Sequence, residues 1–261
     1  MTSQLYRGEK VIDDDTSEVK TPNGLSTGYR GMFRSAESAA NYSALPPGFL
    51  IPQNEWQARI EEMEQSGTRL SDLIVSERLP PKDQKQTNYC WIFAPTHAVE
   101  IMRLVQGQKP VSLSPASAGA QIKNFRNEGG WGEEGLQWIA DKGLVPSSLW
   151  PDTTWNNRSL ASAQNLATAM EYRATEWDRL KPRDLNEMVS CLLHRKPVPI
   201  GLNWWGHEVL AVDPVWLNGK IAIRIRNSWG DIPDFPNGFG ILQGNKMYPD
   251  DAVCLRTVIA S

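Results

Sequence analysis

The chain has 261 residues, is 40% hydrophobic and carries a formal net charge of -3. That length and composition suit one large domain or two small ones with a substantial core, and they argue against disorder throughout. The slight acidity argues against a broad nucleic-acid surface, and no stretch reaches the roughly 18 apolar residues that a membrane span needs.

The first residues, MTSQLYRGEKVIDDD, lack the apolar stretch of a secretory signal. Cys90, Cys191 and Cys254 form an odd, sparse set. Such a set fits the cytoplasm or another reducing compartment better than secretion. All three read as free thiols, with a Cys191–Cys254 pair left open because spacing does not give distance.

Residues 1 to about 50 are polar and show no sustained periodicity. The run Asp13, Asp14, Asp15 reads as a solvated turn, and ALPPGFLIP at 44–52 reads as extended or polyproline-like. A short helix is predicted next, with Asn54 and Gln57 as a capping box and Trp56, Ile60 and Met63 on one face. Pro80 and Pro81 then break the chain. From Cys90 the positions Trp91, Ala94, Ala98, Ile101, Met102 and Val105 follow helical spacing. Pro95 is expected to kink the second turn of that helix. A further helix is predicted over 135–142, with Leu136, Ile139 and Ala140 inward and Gly143 closing it. Beyond about residue 196 the segments VPIGLNW, HEVLAV, KIAIRIR, FGILQ and AVCLRTV read as strands. Helices first and strands later predict an α+β architecture.

Cys90 stands where a helix begins, so the helix dipole favours a thiolate there, and the thiolate is the reactive form. The amide of Gln84, just upstream, can donate to the same oxyanion as the Cys90 backbone N–H if the chain turns sharply between them. His207 follows Gly206 at a strand start. Asn227 ends another strand, and its side-chain carbonyl can accept from one imidazole nitrogen and aim the other at sulfur. His97 reads as a packing or surface residue and His194 as a helix-terminal cation or an exposed one. Cys191 and Cys254 read as core. Trp204 and Trp205 are adjacent, so in a strand they face opposite sides. The His and Cys residues have no metal-ligand spacing, and neither metal nor cofactor is expected.

Gln84-Lys85-Gln86-Thr87-Asn88-Tyr89-Cys90-Trp91, then His207 at a strand start, then Asn227-Ser228-Trp229-Gly230, resembles the papain family of cysteine peptidases in order and spacing. Leu113-Ser114-Pro115, Gly129-Gly130, and Gly143-Leu144-Val145-Pro146 running on to Trp150-Pro151 agree with it. The resemblance covers roughly residues 66 to 261. It implies a two-lobed α+β fold, a helical lobe with Gln84 and Cys90 and an antiparallel β-barrel-like lobe with His207 and Asn227, and the cleft between them. It also implies Cys90 as nucleophile, His207 as base, Asn227 as orienter and Gln84 as oxyanion donor. Trp229 would shield the His207–Asn227 hydrogen bond and, with Gly129 and Gly130, belong to the substrate site. A peptide or protein substrate would bind extended and be hydrolysed through a thioacyl-enzyme.

The sequence departs from the family in places. Thr87 stands where secreted members have a Cys, Glu128 precedes the glycine pair with no Cys near it, and Glu208 follows His207 where a small residue is commoner. Residues 1–65 form an N-terminal extension, shorter than the inhibitory propeptide of the cathepsin branch and without its helical signature. Inhibition, bracing and docking to a larger assembly such as a virus particle are its three alternatives. In the docking alternative the whole chain is a papain-fold structural component with weak or no activity. An acyl transferase using the same Cys and His ranks last.

Overall fold

The computed structural model describes residues 8–22, 31–32, 45–46 and 48–260. The remainder of the N-terminal extension, including parts of the polar stretch and of ALPPGFLIP, lies outside the described residues. In chain order the elements are β1 (Lys10–Ile12), α1 (Gln53–Ser66), α2 (Leu70–Ser76), α3 (Cys90–Val105), α4 (Pro115–Ile122), α5 (Gly132–Lys142), α6 (Ala163–Ala169), β2 (Ala174–Arg179) and α7 (Leu185–Leu193). The strands β3 (Val198–Leu202), β4 (His207–Leu217), β5 (Lys220–Arg226), β6 (Phe239–Gln243) and β7 (Asp251–Val258) follow. The α+β reading holds, and the five predicted strands are β3 to β7. Among the described residues no helix is long and apolar enough to cross a membrane.

The sheet has the order β1-β6-β5-β4-β3-β7-β2. Every pair is antiparallel except β1 with β6. Its long strand β4 alternates between two cores, as the two-residue period of a strand requires. Leu210 and Val212 face α3 and the helical half, while Val209 and Ala211 face α7, α1 and the aromatic residues near His207.

Helix α3 is mostly apolar, and all its residues from Cys90 to Leu104 are buried, Thr96, His97, Glu100 and Arg103 among them. A helix of that kind belongs in the middle of a protein, and α3 packs against β4, β3, β7, α4 and α5. Pro95 lies inside it, yet the helix runs on as one element to Val105. Loss of one backbone donor is outweighed by burial along the whole length.

Two local expectations are corrected. Helix α1 starts after Pro52 with no side-chain cap. The expected capping-box residue Gln57 instead donates to Glu61 at 2.9 Å; Pro52 pre-sets the backbone angle that opens the helix. Trp204 and Trp205 lie in the turn between β3 and β4, so their rings stack at 5.3 Å and 12° instead of facing apart. The Asp run is a solvated turn as expected, with Asp13 accepting from Thr16 Oγ1 at 2.9 Å and Asp14 accepting from the Asn245 N–H at 2.8 Å. The three cysteines are free and buried. His97 is buried, and His194 closes α7.

Candidate active site

The segment ahead of α3 is stitched to the far side of the cleft by its backbone. Gln84 N–H donates to Ser228 O at 2.8 Å, Gly230 N–H donates to Lys82 O at 2.9 Å, and Asp83 bridges Trp229. Gly230 takes φ of +73°, a conformation most residues avoid. Gln84 is thereby brought next to the Asn227 segment, far away in sequence.

The Gln84 side chain is fully buried and its orientation is set by two partners. Ser228 Oγ donates to its Oε1 at 2.5 Å, and its Nε2 donates to Thr87 O at 2.9 Å. Thr87 returns the bond through Oγ1 to Gln84 O at 2.8 Å. Hydrogen bonds from Thr87 therefore hold this turn. Behind it the Lys82 ammonium is buried and reaches Leu113 O at 2.7 Å, Glu100 at 2.8 Å and Asp152 at 3.1 Å. Burial alone would lower this ammonium, but Glu100 and Asp152 outweigh that and hold it raised.

Cys90 opens α3 and its side chain is fully buried. The backbone N–H groups of Glu208, Trp91 and Met32 all approach its sulfur. The sulfur thus lies beside the residue that follows His207. Burial, then the Glu208 carboxylate, pushes the thiol well above the usual range.

His207 opens β4 and is fully buried. Its Nε2 lies 2.8 Å from Asn227 Oδ1, which also accepts the Ser228 N–H at 2.8 Å. The backbone donor identifies that Asn227 atom as oxygen, so His207 Nε2 carries the proton and Nδ1 is the basic nitrogen. Trp229, 1% exposed, stacks on the imidazole at 5.0 Å and 27°. Trp205 meets the ring edge-on at 4.9 Å, and Phe235 backs Trp229 at 5.7 Å. This aromatic enclosure keeps water from the His207–Asn227 bond and strengthens it.

Gly129 and Gly130 are buried at the cleft on the helical side. A Cβ on Gly130 would come within 2.6 Å of the Trp91 ring, so only glycine fits. The edge of Gly130 is already taken: its N–H donates to Gly31 O at 2.9 Å, and Met32 bridges it in parallel. Gly31 crosses Asn88 so closely that no side chain could be accommodated, and Met32 is 7% exposed. Residues 31 and 32 therefore lie across the cleft over Cys90.

The structure brings together Gln84, Cys90, His207, Asn227, Trp229 and Gly130. Sequence reasoning missed Lys82, Ser228, Met32 and the carboxylate of Glu208, which sits beside Cys90. The Ser228 role was within reach, since a hydroxyl next to Asn227 in the quoted motif is a ready donor. The others need tertiary contacts.

A family model described as papain family cysteine protease matches residues 75–211. No curated protein matches this sequence. Among solved structures, the cysteine protease xylellain of Xylella fastidiosa is 19% identical, covers 94% of this chain and 100% of its own, and has a TM-score of 0.65. Bromelain of Ananas comosus, solved with the inhibitor E64, is 16% identical over 74% of this chain and 98% of its own, with a TM-score of 0.59. Digestive procathepsin L 3 of Tenebrio molitor is 20% identical over 67% of this chain, with a TM-score of 0.58. The match spans 65% of that procathepsin, just under two thirds of its length.

Proposed function

Because this chain belongs to the papain family of cysteine proteases, we propose that it hydrolyses peptide bonds with Cys90 as nucleophile, His207 as base and acid, Asn227 as orienter and Gln84 as oxyanion donor. The observation that carries this reading is the 2.8 Å bond between His207 Nε2 and an Asn227 oxygen pinned by the Ser228 N–H. It fixes the tautomer whose Nδ1 can accept the thiol proton. The thiolate then attacks the substrate carbonyl, and the oxyanion is met by Gln84 Nε2 and the Cys90 N–H. His207 passes its proton to the leaving amine, and the acyl group stays on sulfur as a thioester. Water, deprotonated by His207, releases the acid and returns the thiol.

Residues 66–261 form the peptidase domain in this reading, and residues 1–65 are its cover. Met32 over the thiol supports a latent resting form, in which burial keeps Cys90 protonated. Withdrawal of this segment rehydrates the sulfur and lets the thiolate form. Strand β1, paired with β6, keeps the arm on the body of the protein and favours a cover over an arm that reaches for an assembly.

The test compares the full chain with its Cys90→Ala and Gly31→Val variants, using an unstructured peptide and iodoacetamide. Gly31→Val cannot seat over Asn88, so labelling at Cys90 rises about tenfold for each ~1.4 kcal/mol lost by the closed form. Cys90→Ala cleaves nothing. Full cleavage by Cys90→Ala rejects the mechanism, and unchanged labelling in Gly31→Val rejects the cover.

A further inference from the structure

Helix α2 closes on an arginine where glycine or asparagine is usual: Arg78 takes φ of +53°. The turn it makes brings Leu79 N–H back to Ile74 O at 3.0 Å, and Pro80 and Pro81 then lead the chain away. Facing this turn is the end of β5. Arg226, the last residue of that strand and the neighbour of Asn227, pairs with Leu210 on β4 and with Phe239 on β6. Paired residues share a face, so Arg226 points with Leu210 toward the helical half. Its Nη2 donates to Leu79 O at 2.6 Å, and its guanidinium lies 5.2 Å from the centre of the Phe239 ring.

The rest of that guanidinium is unfilled. Arg226 is 2% exposed, yet its Nε and Nη1 have no acceptor among the described residues. Glu100 acts on it through space, but this carboxylate makes its short contacts with Lys82 Nζ at 2.8 Å and the Leu113 N–H at 2.7 Å. Arg224 adds like charge. Burial brings the guanidinium down to about 10, so it stays charged at neutral pH. A buried cation with two empty donors is costly.

A pocket of about 330 Å³ ends on this side chain. Arg78 and Asn237 supply its other polar groups, and Val75, Leu79 and Pro81 supply apolar wall. Arg78 is exposed and forms no ion pair among the described residues; Val75 is 59% exposed. Apolar walls with a few converging polar groups suit a small molecule. An anion without an apolar part leaves the walls wet, and an apolar guest without charge leaves the Arg226 donors empty.

We propose that this pocket binds a small organic carboxylate, with its oxygens toward Arg226 and Arg78 and its apolar part against Val75, Leu79 and Pro81. The site shares no residue with the group around Cys90 and stands independently of the peptidase reading. It does adjoin the strip that carries Asn227: the Asn227 N–H donates to Gly238 O at 2.7 Å, and a Cβ on Gly238 would lie 3.1 Å from Pro81. A ligand here therefore braces that strip from behind.

Thermal melts of the full chain near pH 7, at constant ionic strength, test the proposal with hexanoate, 1-hexanol and inorganic phosphate as probes. Hexanoate at about 10 mM is expected to raise Tm by about 2–4 °C. Neither 1-hexanol nor phosphate at the same concentration is expected to do so. Arg226→Gln is expected to lose the response to hexanoate whatever its own Tm. Val75→Glu puts a carboxylate on the exposed rim and is expected to weaken hexanoate by about fivefold or more, read from the concentration dependence of Tm. No rise with hexanoate, an equal rise with 1-hexanol or phosphate, or a response kept in Arg226→Gln overturns the proposal. Where Arg226→Gln does not fold, Val75→Glu decides, and undiminished binding by it overturns the proposal.

Discussion

On the helical side of the cleft, Gln84 and Cys90 are backed by charge: the buried Lys82 ammonium bonds Glu100, Asp152 and Leu113 O behind the turn. On the sheet side, His207 and Asn227 are backed by rings, with Trp205, Trp229 and Phe235 closing round the imidazole. The first kind of support is directional and fails abruptly when one partner is removed. The second is spread over many contacts and yields gradually. One half of the site is therefore sensitive to charge and acid, the other to volume.

The largest break in this comparison comes from Lys82→Met, which leaves Glu100 buried without its cation. A loss of about 3–5 kcal/mol in urea unfolding is expected, with part recovered by adding Glu100→Gln. Trp229→Phe should cost less, about 1–3 kcal/mol, because the ring beside His207 shrinks without exposing a charge. Its effect on stability should be the same in low and high salt. The smallest effect is in acid. Burial, then Arg226 and Lys82, holds the His97 imidazole well below its usual range. The unfolded chain takes up that proton near about pH 6.5 and the native one does not. The contribution of His97 is therefore complete above that pH and is lost as pH falls, by up to about 1.4 kcal/mol per unit. His97→Gln should flatten the acid limb of stability measured by urea midpoint against pH. An unchanged slope would remove His97 from the account of the helical half.

Much of the frame was legible because it is periodic. Helix α3 and strands β3 to β7 declare themselves by spacing and by the Gly, Pro, Asn and Asp between them. Cys90, His207 and Asn227 stand at the ends of those elements. What could not be read depends on contacts without period. Met32 lies in a polar stretch with no pattern, and its place over Cys90 follows from one bridge to Gly130. Lys82 follows two prolines, and its role appears only when folding brings Glu100 of α3 to meet it. Glu208 was noticed as an oddity after His207, but its place beside the Cys90 sulfur needed the tertiary fold. The capping box at Asn54 failed because a proline nearby opens the helix without any side-chain bond.

The bridge from Lys82–Gln84 to Ser228–Gly230 has a mechanical consequence. It works as a rivet at one end of the cleft, since the walls cannot spread there without breaking two backbone hydrogen bonds. Groove width next to Cys90 is then a fixed dimension of the fold. The amides of Gln84 and Gly230 should be among the slowest in this region to exchange with solvent.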